Sequence, residues 1–446
     1  MLKAMIQPDR AWATYSRAAL AGLAIVVVGA SAASAQTLDE TLSLAWRTNP
    51  LIAAERAQYR ATSEGVAQAR AAGLPQITAR ADYAKADIDQ TVNAAVIGGG
   101  AGGSASRSFN LETRSAAVEG EQVIFAGLRN LNAIREAKAR RKAGHARMVS
   151  VEQDTLVQAA EAYFDVVRDT QVLKATKANL EVLAREFDEA TALFDVGEAT
   201  KTDVAQTDAR LALARAQLTD AETALAVSRD RFAEIVGRYP ETLDSNPALP
   251  ETPADAEAAK ALAREFAPAL IEAQMREEAS RRALAVAKGQ FSPTVSATAG
   301  YRYAEEPSSF INKDEQFAYG LRVTAPIFLG GLNLSRTREA RAAHDADENR
   351  VVAAERHVDA AVNAAWLRLQ AAKTKIISAT KAVAANELAL GGVRREAEVG
   401  SRTTLDVLDA EQELLDAQVA LASARRDEGS ATFNLLAAIG VLTAQE

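Results

Sequence analysis

Two short segments hold most of the residues whose types and spacing could act together. The first runs Val196-Gly197-Glu198-Ala199-Thr200-Lys201-Thr202-Asp203-Val204, the second Val399-Gly400-Ser401-Arg402-Thr403-Thr404-Leu405-Asp406-Val407-Leu408-Asp409-Ala410. In each, a glycine suited to a tight reversal precedes threonine and aspartate, the residues that start helices. Asp406 and Asp409 are three apart and therefore share a helix face, where paired carboxylates concentrate negative charge. For Asp203 and Asp406 the alternative is structural, because a carboxylate at the start of a helix is favoured by the helix dipole. Arg402 supplies a cation that could pair with Asp203, although one exposed pair contributes little.

Other chemistry is sparse. His145, His344 and His357 do not fall on matching positions of the repeat described below, and read as exposed or interhelical polar residues rather than ligands. The glycine-rich stretch Ile97 to Gly103 lacks the Lys-Ser/Thr of a phosphate loop and reads as an exposed hairpin loop. Cysteine is absent, which removes disulfides, thiol catalysis, thiolate metal sites and the residue on which a lipoprotein is anchored. No nucleophile elbow or metal-ligand cluster is legible, so neither catalysis nor a cofactor is expected.

These segments recur because the chain is written twice. Pro50, Pro75 and Tyr83 match Pro268, Pro293 and Tyr301 at an offset of 218; Phe125, Gly197, Asp203 and Gly237 match Phe328, Gly400, Asp406 and Gly440 at 203. The 15-residue difference therefore lies between Tyr83 and Phe125. Residues 1–35 read as an export signal, with Lys3, Arg10 and Arg17 ahead of an apolar run and Ala33-Ser34-Ala35 at the cleavage position. The first repeat is placed at 36–237, a linker with four prolines at 238–256, the second repeat at 257–440 and a short tail at 441–446. Formal charge is −8, and −10 once the +2 leader is removed, which argues against nucleic acid as a partner.

Each repeat reads helix, strand, loop, strand, very long helix, turn, long helix. Leu38 to Ala72 is expected to be one helix, ended by Pro75. Ile77, Ala79, Ala81 and Tyr83 then alternate with Gln76, Thr78, Arg80 and Asp82. In the second repeat Val295, Ala297, Ala299, Tyr301 and Tyr303 alternate with polar residues, and Phe317, Tyr319, Leu321 and Val323 do so on the return. Period two over about ten residues, with aromatics grouped, fits a lipid-facing barrel strand or a sandwich strand. Four strands cannot close a membrane barrel, whose smallest form has eight, so oligomerisation is required. Proline is missing from Leu128 to Phe194 and from Leu332 to Glu398; helices of roughly 65 residues would be on the order of 100 Å long. Val204, Leu211, Leu218, Leu225 and Phe232 recur every seventh residue as a packing seam, matched by Val407, Leu414 and Leu421.

The whole pattern resembles the TolC-type outer-membrane efflux protein family. The likeness is carried by Asn49-Pro50-Leu51, Leu74-Pro75, Val123-Ile124-Phe125-Ala126-Gly127, Pro326-Ile327-Phe328-Leu329-Gly330-Gly331 and the two tips quoted above. It implies an α+β, mostly α protomer with two repeats. Three such chains would form a homotrimeric, twelve-stranded transmembrane β-barrel continued by a long periplasmic α-helical barrel. It further implies a passive exit duct, not an enzyme, that works with a periplasmic adaptor and an inner-membrane pump in tripartite efflux or type I secretion. The location is the outer membrane of a Gram-negative cell. Carried across residue by residue, the resemblance makes Asp406 and Asp409 acidic rings at the periplasmic aperture. Arg402, Thr202 and Asp203 become its latch, Gly197 and Gly400 the tip turns, and Tyr301, Tyr303, Phe317, Tyr319, Leu321 and Val323 lipid-facing residues. Repulsion within such rings would favour cations and raise some of the carboxyl pKa values. A tyrosine used by some relatives in the latch is replaced by Ala397. The competing readings are an exported periplasmic adaptor, which carries one helical hairpin, or a structural coiled-coil protein. Substrate is not encoded in any of these motifs.

Overall fold

The computed structural model describes residues 36–93, 104–308 and 311–443. The leader 1–35, the glycine-rich stretch 97–103 and residues 444–446 of the tail lie outside the described residues. In chain order the elements are α1 (Leu38–Thr48), α2 (Pro50–Ala71), β1 (Gln76–Asn93), β2 (Ser104–Phe125), α3 (Arg129–Asp195) and α4 (Lys201–Val236). They are followed by α5 (Ala256–Phe266), α6 (Pro268–Gly289), β3 (Thr294–Ser308), β4 (Ile311–Thr324), α7 (Leu332–Glu398) and α8 (Thr404–Ile439). The halves match helix for helix, at 11, 22, 67 and 36 residues. At 1.5 Å per residue α3 and α7 are about 100 Å long.

The single helix expected from Leu38 to Ala72 is broken at Asn49, which is extended at φ −67°, ψ 125°. Proline disfavours the helical region for the residue before it, and Pro50 starts α2 at a position where its missing N–H costs nothing. The Asn49 side chain then accepts from Leu51 N (2.9 Å) and donates to the Ile235 carbonyl (3.0 Å), tying the break to the end of α4.

The strands form one antiparallel sheet in the order β1-β2-β3-β4. Its rungs fix which side chains share a face. Ile77, Gly120, Ala299 and Tyr319 make one rung; Ala79, Val118, Tyr301 and Phe317 make the next; Ala81, Ala116, Tyr303 and Glu315 follow. The opposite face carries Thr78, Glu119 and Gly300, then Arg80, Ala117, Arg302 and Gln316. At 18 and 22 residues β1 and β2 are longer than the ten or so expected. The added length is polar on the apolar side too, where Lys85 faces Glu112 and Asp87 faces Asn110.

Below the sheet, α3 is the central helix, packed by α2 and α6 in its first half and by α4 and α8 in its second. Leu156, Ala160, Tyr163 and Phe164 of α3 form a core with Phe232 and Val236 of α4 and Phe433 of α8. A second core joins Val358, Val362 and Leu369 of α7 to Leu270 of α6 and Leu435 and Ile439 of α8. The heptad seam of α4 buries Leu211, Leu225 and Phe232. In α8, Val407 is buried but so are Leu408, Leu415 and Ala422, because α8 lies between α3 and α7 and needs more than one apolar stripe. Among the described residues no helix is long and apolar enough to cross a membrane.

Candidate functional site

Two regions bear on function: the sheet, and the helical tips at the other end of α3 and α7. The tips are built by the same local rules. Gly197 and Gly400 have φ of +84° and +74°. Gly197 N donates to the Phe194 carbonyl (3.0 Å) and Glu198 N to that of Leu193 (2.9 Å); Gly400 N and Ser401 N do the same to Ala397 and Glu396 (both 2.9 Å). This left-handed termination satisfies the last carbonyls of the long helices and suits glycine. The next helix starts at once. The Thr200 hydroxyl accepts from Asp203 N (3.2 Å), while Asp203 Oδ2 accepts from Thr200 N (2.9 Å) and from its hydroxyl (2.7 Å). Thr403 and Asp406 repeat the arrangement at 3.3, 2.9 and 2.8 Å. Both are reciprocal capping boxes.

These hydrogen bonds set the acidity of the tip. Donors from Thr200 hold the Asp203 carboxyl below the usual aspartate value, and the Thr403 backbone and hydroxyl, helped by Arg402, do the same for Asp406. Each chain supplies these donors itself, so the lowering is a property of the single tip, separate from any repulsion between tips of different chains.

The other tip residues sort as follows. Arg402 Nε pairs with Glu396 Oε2 at 2.9 Å, six residues back on the same hairpin, and within the chain it is not joined to Asp203. Thr202 is exposed on the first turn of α4. Asp409 is paired with Arg210 of α4, so the return helices of the two hairpins are linked at their ends. Arg394 pairs with Glu411, a buried carboxylate whose pKa burial raises and Arg394 lowers. Above these links Leu183 of α3, Leu211 and Ala214 of α4 and Leu408 of α8 form a small apolar cluster that holds the tips together. Sequence reading missed Arg210. Its one signal is position: it flanks the seam residue Leu211, where charged side chains commonly bridge neighbouring helices.

At the opposite end the sheet presents an exposed apolar face. Tyr319 is 81% and Leu321 72% exposed, with Phe317, Val323 and Tyr301 beside them. The band runs from the Val295–Val323 rung to the Tyr303–Glu315 rung, nine residues, close to the 9–11 that a tilted strand needs to cross a bilayer. Its upper limit is a polar rung. Tyr83 donates to Glu112 (2.7 Å), Tyr303 to Glu305 (2.6 Å), and Lys313 pairs with Glu315 (2.7 Å). Tyr303 thus stands at the edge of the band, half-buried, while the other five named strand residues lie within it.

Comparison with known proteins agrees with this geometry. Residues 41–238 and 241–441 each match the outer membrane efflux protein family, once per repeat. The chain belongs to that family. This efflux protein is 30% identical to the outer membrane efflux protein BepC of Brucella suis, over 94% of its own length and 89% of the relative's. It is 27% identical to the outer membrane protein TolC of Vibrio cholerae, over 93% of each. Its fold is that of the outer membrane protein VceC of Vibrio cholerae, at a TM-score of 0.76 and 20% identity, covering 90% of this chain and 96% of that one. The efflux protein is accordingly an outer-membrane exit duct of the efflux and type I secretion kind, with a β-barrel in the outer membrane and a helical tunnel in the periplasm. Matches along both repeats leave no place for the adaptor or coiled-coil readings, and the family is one of channels.

Proposed function

We propose that three copies of the chain close a single duct, that it acts passively without catalysis, and that it docks with a periplasmic adaptor and an inner-membrane pump that supply the energy. One observation supports a closed ring of copies, and the family resemblance supplies the number three. The sheet has two unpaired edges, β1 and β4, under an apolar face of bilayer height. In lipid an open edge leaves backbone groups without partners, so β4 must pair with β1 of another copy. A head-to-tail contact of this kind closes a ring, and twelve strands follow from three copies. The exposed apolar residues Leu367, Ile377 and Leu388 of α7 and Val227 of α4 support the same edge-to-edge packing below the membrane. Native mass spectrometry of detergent-extracted outer membranes is expected to give a trimer. A monomer in that measurement would reject the ring.

At the periplasmic mouth, Asp406 and Asp409 form acidic rings that favour cations, and Arg402 reaches Thr202 and Asp203 of a neighbouring tip in the closed state. The exchange of Glu396 for those partners is available because Arg402 is half exposed and tied only to its own hairpin. Replacing Arg402 or Asp203 by alanine is expected to raise single-channel conductance in planar bilayers. Asp406→Ala with Asp409→Ala is expected to weaken cation selectivity and block by divalent ions. Unchanged conductance and selectivity would reject the assignment.

The capping carboxyls predict an acid response. Asp203 and Asp406 lie below the ordinary aspartate value in the folded chain. Their stabilisation of the tips is therefore complete above about pH 4, the unfolded value, and is lost as pH falls through the lower folded value. Conductance is expected to rise on acidification below about pH 4. Asp203→Asn with Asp406→Asn should remove that rise, and an identical acid response in the double variant would show that other groups control it.

A further inference from the structure

We infer that the efflux protein carries a binding site for a divalent transition-metal ion, of the zinc kind, between α6 and α7. Glu277 of α6 and His344 and Glu348 of α7 each offer a ligand atom, and these atoms lie within 4.8 Å of one another. His344 Nδ1 is 3.6 Å from Glu277 Oε1, and Nε2 is 3.5 Å from Glu348 Oε1. Such separations are too long for hydrogen bonds, which for N–H···O lie between about 2.7 and 3.2 Å. One ion takes only one ring nitrogen: for Nδ1, the 3.6 Å to Glu277 Oε1 is near the distance of about 3.4 Å that separates two ligands of a tetrahedral ion bound at 2.0–2.2 Å, and Glu348, which lies beside Nε2, must turn its carboxylate toward that side to complete the set. The imidazole is mostly enclosed, its side chain 14% exposed, and His344 Nδ1 is buried without a hydrogen-bond partner. A buried, unpaired ring nitrogen costs free energy, and a metal ion would relieve that cost.

His344 and Glu348 are four apart and so project from one face of α7, while Glu277 supplies the third ligand from the packed neighbour. Among the described residues Glu277 is otherwise held only by Arg281, at 3.8 Å, whose nearer partner is Glu278. The mixed nitrogen and oxygen set suits zinc, cobalt or nickel better than calcium or magnesium, which prefer oxygen alone.

The duplication gives an independent comparison. The repeat-equivalent positions are Tyr59, Arg141 and His145. There Tyr59 and His145 meet edge to face at 5.5 Å, with no carboxylate among the three. The fold therefore does not require the triad at this place, about 18 Å along α7 from its start. An ion bound there would join α6 to α7 in the periplasmic neck. The sequence concealed the triad because its members come from two helices, with Glu277 and His344 67 residues apart in the chain.

The test is calorimetric titration of zinc chloride into full-length, EDTA-stripped protein in detergent at pH 7.5, with cobalt absorption as a second reading. One site per chain is expected. His344→Gln and Glu277→Gln should each lower affinity about tenfold or more. His145→Gln, in the equivalent place of the first repeat, should leave it unchanged. Zinc should raise the melting temperature of the wild-type protein and of the His145 variant, and not that of the His344 variant. The same elution volume on gel filtration will establish that each variant is folded. Absence of zinc binding, or binding that survives His344→Gln in folded protein, would overturn the site. So would a melting temperature of the folded wild-type protein that does not respond to zinc.

Discussion

Tyr319→Arg is expected to abolish accumulation of the protein in the outer membrane, whereas Ala318→Arg, one residue away, is expected to leave it nearly unchanged. Successive side chains of a strand point to opposite faces, and the register assigns these two clearly. Tyr319 lies opposite Ala299, in the middle rung of the apolar band; Ala318 lies opposite Gly300, on the face that carries Thr78 and Glu119. Arginine on the lipid side at mid-depth costs about 2–4 kcal/mol per chain. In a trimer the change occurs three times, so about 6–12 kcal/mol is lost, comparable with the whole stability of many folded domains. On the lumen side the same charge stays in water. Fractionation of membranes, followed by an SDS gel without heating, reads both variants. Equal loss from both would mean that the sheet does not present one face to lipid.

Much of the architecture was legible because duplication allowed one half to check the other. The offsets of 218 and 203 agree with the paired helices, α2 with α6 and α3 with α7, although the start of α2 at Pro50 was not read as a boundary. The proline-free runs match α3 and α7, and the period-two segments are the apolar face of the sheet. Periodicity, however, describes only what one element does alone. It passed over the break at Asn49, for which Pro50 is a local signal, and it could not find the bond that ties that break to α4, reached across 186 residues. Nor could it find Arg210 against Asp409, 199 residues apart, or the preference of Arg402 for Glu396 within its own hairpin. Type and spacing marked the tip turns and helix starts, and the resemblance alone gave their aperture roles, but which charge meets which is decided by how four helices converge. Strand length was misjudged for a related reason. The pattern that betrays a membrane strand stops where lipid stops, while the hydrogen-bonded ladder of β1 and β2 continues beyond Tyr83.

The same distinction between local pattern and packing separates two glycines that the sequence makes equal. Gly237 and Gly440 end α4 and α8, at φ of +87° and +91°, and each donates its N–H back to the last turn. Alanine at either position must adopt a left-handed conformation, at a cost of about 1–2 kcal/mol. For Gly237 that is nearly the whole cost, because an added Cβ would sit 3.4 Å from the Thr48 hydroxyl, an ordinary contact. At Gly440 the Cβ would lie 2.2 Å from the Phe266 carbonyl oxygen and 2.8 Å from Ala267 Cα. Those are backbone atoms at the junction of α5 and α6, fixed by Pro268 and by the buried Ala267 and Leu270, and they cannot turn aside as a side chain would. Gly237→Ala is therefore expected to lower stability modestly. Gly440→Ala should cost more than 3 kcal/mol, the added amount coming from displacement of the core shared by α5, α7 and α8. Urea unfolding of both variants, compared at equal m-value, measures the difference. Equal losses would place Phe266 and Ala267 farther from the end of α8 than the packing described here.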